Sequence, residues 1–319
     1  MYYLKDLEQN IHITDSEVEC PKKDCRHVVE RMKKNFRAEE EFKCPDHGIY
    51  ISPTTFEYED EQDNLLWKDK EDLELLRKVK LVKRESRMAR DNSEDAVTWN
   101  VFRFLDRNNL VGPVLGSVIG VQLDSPEVIY WSYSPIERCS WKELDKARVE
   151  FGEKVSRSSE PDLIVVSDDV VVVVEAKMLA PNVTAPSDPE NRKRYEPGGG
   201  GWFNKAFSSS YQEVVTKSGK YELMRFWLLG TWIADQLDRD FYLVNLVLDG
   251  REANIIPLFT NHINENEHAK FMRITWEDLY RVIASCDAPA REKAAEMEYF
   301  NNKTLGYYRG QIRKAFSLP

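Results

Sequence analysis

Residues 159–178 read Ser159-Glu-Pro-Asp-Leu-Ile-Val-Val-Ser-Asp-Asp-Val-Val-Val-Val-Val-Glu-Ala-Lys-Met178. Two apolar runs, Leu163–Val166 and Val170–Val174, flank Ser167-Asp168-Asp169. β-branched runs divided by a Ser/Asp cluster predict two strands joined by a tight turn. With Asp168 and Asp169 as the turn, Val172 falls opposite Val165, Glu175 opposite Asp162, and Lys177 opposite Glu160. Opposed residues have Cβ atoms about 4.5–5.5 Å apart. Glu175 and Lys177 share a face because strand side chains alternate. Two carboxylates and an ammonium are therefore expected at one end of a buried hairpin. Close carboxylates need a cation or a proton between them, and oxygen ligands suit Mg²⁺ or Mn²⁺.

Pro161-Asp162 followed by Glu175-Ala176-Lys177 resembles the motif of the PD-(D/E)xK nuclease superfamily, over about Asn92 to Tyr280. The resemblance implies a restriction-endonuclease-like α/β core, a mixed β-sheet flanked by helices. It also implies Mg-dependent hydrolysis of phosphodiester bonds in nucleic acid, with DNA favoured, in the sense of restriction, repair or defence. Asp162 and Glu175 would bind Mg²⁺ with the Ala176 carbonyl, and Lys177 would orient the attacking water or neutralise charge. In the superfamily a first-helix glutamate often completes the site, and Glu94 resembles it. Asp91-Asn92-Ser93 signals a helix start, and Glu94 shares a stripe with Val97, Val101 and Leu105. A first-turn acid favoured by the helix dipole reads the same residue equally well. Tyr211-Gln212 lacks the four-residue Gln/Tyr spacing of some nuclease subfamilies.

Composition bounds the class. The 319 residues are 42% hydrophobic and 11% aromatic, enough for a sizeable core. A net charge of −10 argues against coating nucleic acid wholesale but permits local basic surfaces. No apolar run approaches a membrane span, MYYLKDLEQN is not a signal sequence, and five cysteines make no disulfide scaffold. A cytoplasmic protein with no membrane contact is expected.

Three regions are expected: a zinc-finger-like module at 1–67, a charged connector helix at 68–91 and the nuclease-like domain at 92–319. In the first, Cys20-x4-Cys25 and Cys44-Pro-Asp-His47 supply two close ligand pairs for tetrahedral structural Zn²⁺, resembling treble-clef or ribbon fingers. His27 competes as a ligand. Arg26–Glu41 is expected as a charged helix and Gly48–Tyr58 as extended chain. The module could dock a partner protein or second copy, or touch nucleic acid. The connector passes from acidic (Glu57–Glu74) to basic (Leu76–Arg90), fitting either a phosphate-following helix or a solvated linker.

Farther on, Leu110–Ser134 predicts strands and Trp141–Lys154 a helix or insertion. Pro181–Trp202 predicts a long loop carrying Arg192, Lys193 and Arg194. It either closes on nucleic acid, with Trp202 or Phe203 stacking a base, or is a surface insertion. Lys205–Ala234 is expected as helix, Phe241–Leu248 and Phe271–Thr275 as strands, and Thr275…Asp278 as a helix cap. Ala288–Phe300 is expected as helix. Cys139 and Cys286 are isolated. The alternative to a nuclease is a catalytically silent scaffold whose zinc module binds nucleic acid or protein.

Overall fold

The structure is a computed structural model that describes residues 1–83, 85–155 and 159–318. The chain forms two compact units, one of residues 1–72, 86–108 and 283–319, the other of residues 73–85 and 109–282.

In the first unit, short strands build a small β region. Glu17–Glu19 pairs antiparallel with Val28–Glu30, and Lys43–Cys44, Ile49–Ile51 and Phe56–Tyr58 form an antiparallel meander. Leu7, Val18, Ile49, Ile51, Phe56 and Tyr307 pack with the three buried cysteines Cys20, Cys25 and Cys44. The charged helix expected over Arg26–Glu41 does not form. Val28–Glu30 is a strand and only a 3-10 turn, Glu40–Phe42, follows. The chain must double back directly after Cys25, and the Cys20 N–H donates to the His27 carbonyl at 2.9 Å to close that reversal. Gly48–Tyr58 is extended as expected.

Ser93 caps the helix Glu94–Arg107, its Oγ accepting the Ala96 N–H at 3.1 Å. Val97, Val101, Phe104 and Leu105 are fully buried along one stripe. Ala290–Asn302 is the expected C-terminal helix. It buries Glu296 completely, and neither carboxylate oxygen has a hydrogen-bond partner. Burial raises the Glu296 pKa well above the usual value. A raised carboxyl pKa stabilises the fold at low pH, and that stability falls as pH climbs from the unfolded value through the folded one. Glu296→Gln should therefore melt higher than wild type at pH 8 and near wild type at pH 4. The gap should grow by up to about 1.4 kcal/mol per pH unit within that window. Parallel melting curves across pH would remove this account.

The second unit holds a seven-stranded mixed sheet in the order Ala269–Thr275, Asp240–Val247, Val170–Ala176, Leu163–Val166, Glu127–Tyr130, Tyr133–Ser134, Cys139–Ser140. The first three strands are mutually parallel and the others pair antiparallel. The hairpin register is the expected one. Val172 pairs with Val165, Val174 with Leu163, and the Ser167 N–H donates to the Val170 carbonyl at 2.9 Å, leaving Asp168 and Asp169 as the turn. Every residue of Val170–Ala176 is buried, as befits a central strand covered on both faces. The helix Tyr221–Leu237 lies between the strands Val170–Ala176 and Asp240–Val247 in sequence. It packs Leu223, Trp227 and Leu228 in one core with Val171, Val173 and Leu243.

Other expectations are corrected. Val111–Ile119, within the segment read as strands, is a helix. A Cβ on Gly112 or Gly116 would lie 2.5 Å from the carbonyl oxygen of Leu123 or Val121, so these glycines let the helix rest on the returning chain. Lys205–Ala234 is broken into Phe203–Ala206, the π-helical Gln212–Lys217 and Tyr221–Leu237, with Gly219 at φ +62° before the last. The region read as a structureless loop contains short helical turns at Pro189–Asn191 and Arg192–Tyr195, then a left-handed glycine turn at Gly198–Gly201 with Gly199 and Gly200 at φ +59° and +66°. The connector helix spans only Lys70–Val82, and the described residues from Lys83 to Arg90 are not helical. Arg84 lies outside the described residues. Lys142–Glu150 is the helix of the Trp141–Lys154 segment. Trp276–Ser285 starts with the expected cap, Thr275 and Asp278 exchanging hydrogen bonds of 2.8 and 3.0 Å. No helix among the described residues is long and apolar enough to cross a membrane.

Candidate active site and metal centre

The antiparallel ladder ends at Val174–Leu163, so Asp162 lies just beyond it. Its side chain turns to the neighbouring strand instead. Oδ2 accepts the Ala176 N–H at 2.8 Å, and Oδ1 accepts the Trp131 indole N–H at 3.1 Å. Glu175 is 3% exposed and points to the face covered by Tyr221–Leu237. Lys177 shares that face. Its Nζ lies 2.5 Å from Glu175 Oε1 and 3.7 Å from Glu222 Oε2. Lys177 therefore pairs with these acids rather than with Glu160, because the ladder that would bring Glu160 opposite stops short of it.

Burial pushes the Glu175 pKa up, and Lys177 pulls it back toward the charged form. For Lys177, burial favours the neutral amine, but Glu175, Asp162 and Glu222 outweigh it and raise the pKa. The ammonium stays charged at neutral pH. The group thus offers one buried and one half-buried carboxylate, a fixed cation and a third acid at the rim.

Sequence reading missed Glu222. It sits in the first turn of Tyr221–Leu237 after the Gly219 break, and its distance along the chain from Glu175 gave no clue. Also unforeseen is the clamp on the segment leading to Asp162. The Ser159 carbonyl accepts from Arg225 Nη1 at 2.8 Å and Arg148 Nη2 at 3.2 Å, while Arg225 is itself held by Glu153 at 2.5 and 2.6 Å.

Glu94 is placed differently from the other three. It opens the helix Glu94–Arg107 of the first unit, whereas Asp162, Glu175 and Lys177 belong to the second. Its local structure, half-buried behind the Ser93 cap, is that of a first-turn acid. Among Arg192, Lys193 and Arg194, the first pairs with Glu196 at 2.8 Å and the second with Glu190. Arg194 reaches Asp188 at 4.0 Å and helps line a polar cavity of about 640 Å³ with Lys83, Lys154, Ser159 and Glu160. Trp202 and Phe203 are not placed to stack a base beside Glu175. Phe203 is buried against Phe207, with centroids 4.5 Å apart, and the Trp202 indole donates to Thr231. Trp202 lines a cavity with Asp169 and Asp240, at the opposite end of the strand from Glu175.

In the first unit Cys20, Cys25, Cys44 and His47 converge, their ligand atoms all within 4.8 Å of one another. Among the described residues no other set of three or more His, Cys, Asp or Glu does so. Cys25 Sγ lies 3.8 Å from Cys44 Sγ, and His47 Nδ1 lies 3.4 Å from Cys44 Sγ and 3.8 Å from Cys20 Sγ. Tetrahedral zinc with Zn–S of about 2.3 Å and Zn–N of about 2.0 Å separates its ligands by roughly 3.5–3.8 Å. The cluster could thus hold a metal ion such as zinc. His27 takes no part, since its Nε2 faces Asp46 at 2.9 Å. Burial raises the Cys20 and Cys44 pKa values, so a cation is what would make their thiolates stable. Gly48, at φ +62°, turns the chain behind His47.

No protein-family model, no curated protein and no solved structure matches the chain.

Proposed function

We propose that the second unit is a metal-dependent nuclease with a restriction-endonuclease-like core, and that the Cys/His cluster is a structural zinc site. The observation that carries the first part is the buried Glu175–Lys177 ion pair beside the doubly hydrogen-bonded carboxylate of Asp162. The sheet supports it: an antiparallel meander ends in the acid-bearing strand, and a helix leads to a parallel neighbour.

Asp162 and Glu175, with the Ala176 carbonyl, would hold Mg²⁺ or Mn²⁺. Mg²⁺ usually takes one or two carboxylates and completes its shell with water and phosphate, so the half-buried Asp162 and the buried Glu175 fit it. When bound, the ion would supply Lewis acidity at the phosphate and a water acidic enough to attack at neutral pH. Glu222 is a better third acid than Glu94, since it shares Lys177 with Glu175. Lys177, held charged, would orient the attacking water and offset charge on the phosphoryl oxygens. It is too basic to act as the proton acceptor. Water attacking in line with the leaving group would form the new P–O bond and break the bond to the 3′ oxygen, its proton passing to solvent while the 3′ oxygen takes one up from solvent, leaving a 3′ hydroxyl and a 5′ phosphate. Arg194, Lys83 and Lys154 line the cavity that also takes in Ser159 and Glu160, the residues leading to Asp162, and would contact the strand.

The deciding experiment incubates the protein with single-stranded, duplex and branched DNA and RNA, in Mg²⁺, Mn²⁺ or chelator. Cleavage that requires a divalent ion and disappears in Asp162→Asn is the expected result. Nucleic-acid binding indifferent to Mg²⁺, with no cleavage of any substrate, would favour a silent binding scaffold instead.

A further inference from the structure

Trp131 and Ser132 form the two-residue link between the strands Glu127–Tyr130 and Tyr133–Ser134. Both lie in the left-handed region, at φ +43° and +75°. Turns of this kind favour Asn-Gly, because a side chain crowds the backbone there. A buried tryptophan is an expensive choice, and Trp131 is 1% exposed. Strain of this kind persists where the surroundings over-determine it, and at such positions a functional contact is worth seeking.

The contact is with Asp162. The Trp131 main-chain N–H donates to the Asp162 carbonyl at 3.2 Å, and its indole N–H donates to Asp162 Oδ1 at 3.1 Å. Around it, Ser132 Oγ accepts from Arg148 Nη2 at 3.1 Å, and Lys83 Nζ sits 4.3 Å from the centroid of the Trp131 ring. The Ala176 N–H holds the other carboxylate oxygen at 2.8 Å. Each oxygen therefore receives a protein donor, and rotation of the carboxylate is stopped. An indole suits this role because it donates once, accepts nothing and is rigid.

We infer that Trp131 is a positioning residue for Asp162, aiming its carboxylate at the cation, and that the strained turn is retained for this contact. The role in metal binding rests on the nuclease reading above; the contact itself does not.

The test uses the full chain with its eight tryptophan indoles labelled with ¹⁵N. In Asp162→Asn one indole resonance should move while the other seven hold, and Mn²⁺ should broaden that same resonance in the wild type. In parallel, Trp131→Phe keeps the ring and removes the donor. Its half-activating Mn²⁺ concentration should rise about 10- to 100-fold, as for partners that orient metal ligands. Its rate at saturating metal should fall much less, and its melting temperature in chelator checks the fold. The inference is overturned if no indole resonance responds to Asp162→Asn, or if a well-folded Trp131→Phe keeps the wild-type metal midpoint. The labelled Asp162→Asn arm decides the matter even where Trp131→Phe does not fold. A wild type that cuts nothing would remove the nuclease reading instead, leaving the indole resonance to report on the contact.

Discussion

Lys177→Ala should lower the cleavage rate by about 10³-fold or more while changing affinity for the nucleic acid by less than about 10-fold. Two losses combine. The ammonium that would face the phosphoryl oxygens is gone, and Glu175 loses the partner 2.5 Å away that favours its charged form. Burial raises the Glu175 pKa and Lys177 pulls against that rise, so without Lys177 the carboxyl holds its proton more firmly and binds a cation less well. The two losses are coupled. Lys177→Ala with Glu175→Gln should therefore cost little more than Lys177→Ala alone, a non-additivity expected of groups that act as a unit. Lys177→Arg keeps the charge but replaces a compact ammonium with a planar fork, and should recover only a small part of the rate. Single-turnover cleavage and filter binding, run side by side, check all three variants. Wild-type cleavage by Lys177→Ala in Mg²⁺ would end the assignment.

This site was readable in sequence to the extent that its geometry is local. A period of two along Val170–Ala176 put Glu175 and Lys177 on one face, and Ser167-Asp168-Asp169 fixed the hairpin register that brings Asp162 near. The caps at Ser93 and at Thr275–Asp278 were readable for the same reason, since a cap and its partner lie three residues apart. What long-range packing decides was not readable. Glu222 reaches Lys177 only because the helix Tyr221–Leu237 crosses the sheet, and Trp131 reaches Asp162 only because two hairpins share an edge. Val111–Ile119 looks like strand by its valines and glycines. It is helical because Gly112 and Gly116 accept the backbone that returns over them. The finer expectation that Asp162 would oppose Glu175 within a ladder gave way to a side-chain-to-backbone bond, an alternative that short acidic residues readily offer.

If the Cys/His cluster holds zinc as proposed, chelating that ion, or replacing Cys44 with Ser, should unfold the β region of the first unit while the second unit keeps its sheet. The strands around the cluster are two or three residues long, too short to bury much apolar surface between them. The cysteines are themselves part of the core, packed with Val18, Ile49 and Phe56. Without a cation those buried sulfurs revert to thiols that link nothing, and both chain reversals, at Cys20–Cys25 and Cys44–His47, lose their common anchor. Structural zinc contributes about 10–16 kcal/mol of apparent free energy in isolated finger peptides at neutral pH. The gain here is smaller to the extent that Tyr307 and its neighbours from the C-terminal segment also support the module. Metal analysis should find one zinc per chain in the wild type and none in Cys44→Ser. Hydrogen exchange read by mass spectrometry should show protection lost over Glu17–Tyr58 and retained over Leu163–Ala176. Because His27 faces Asp46 and not the sulfurs, His27→Ala should keep the zinc, whereas His47→Ala should weaken it. Protection of Glu17–Tyr58 that survives complete zinc removal would show that the four residues converge through packing alone.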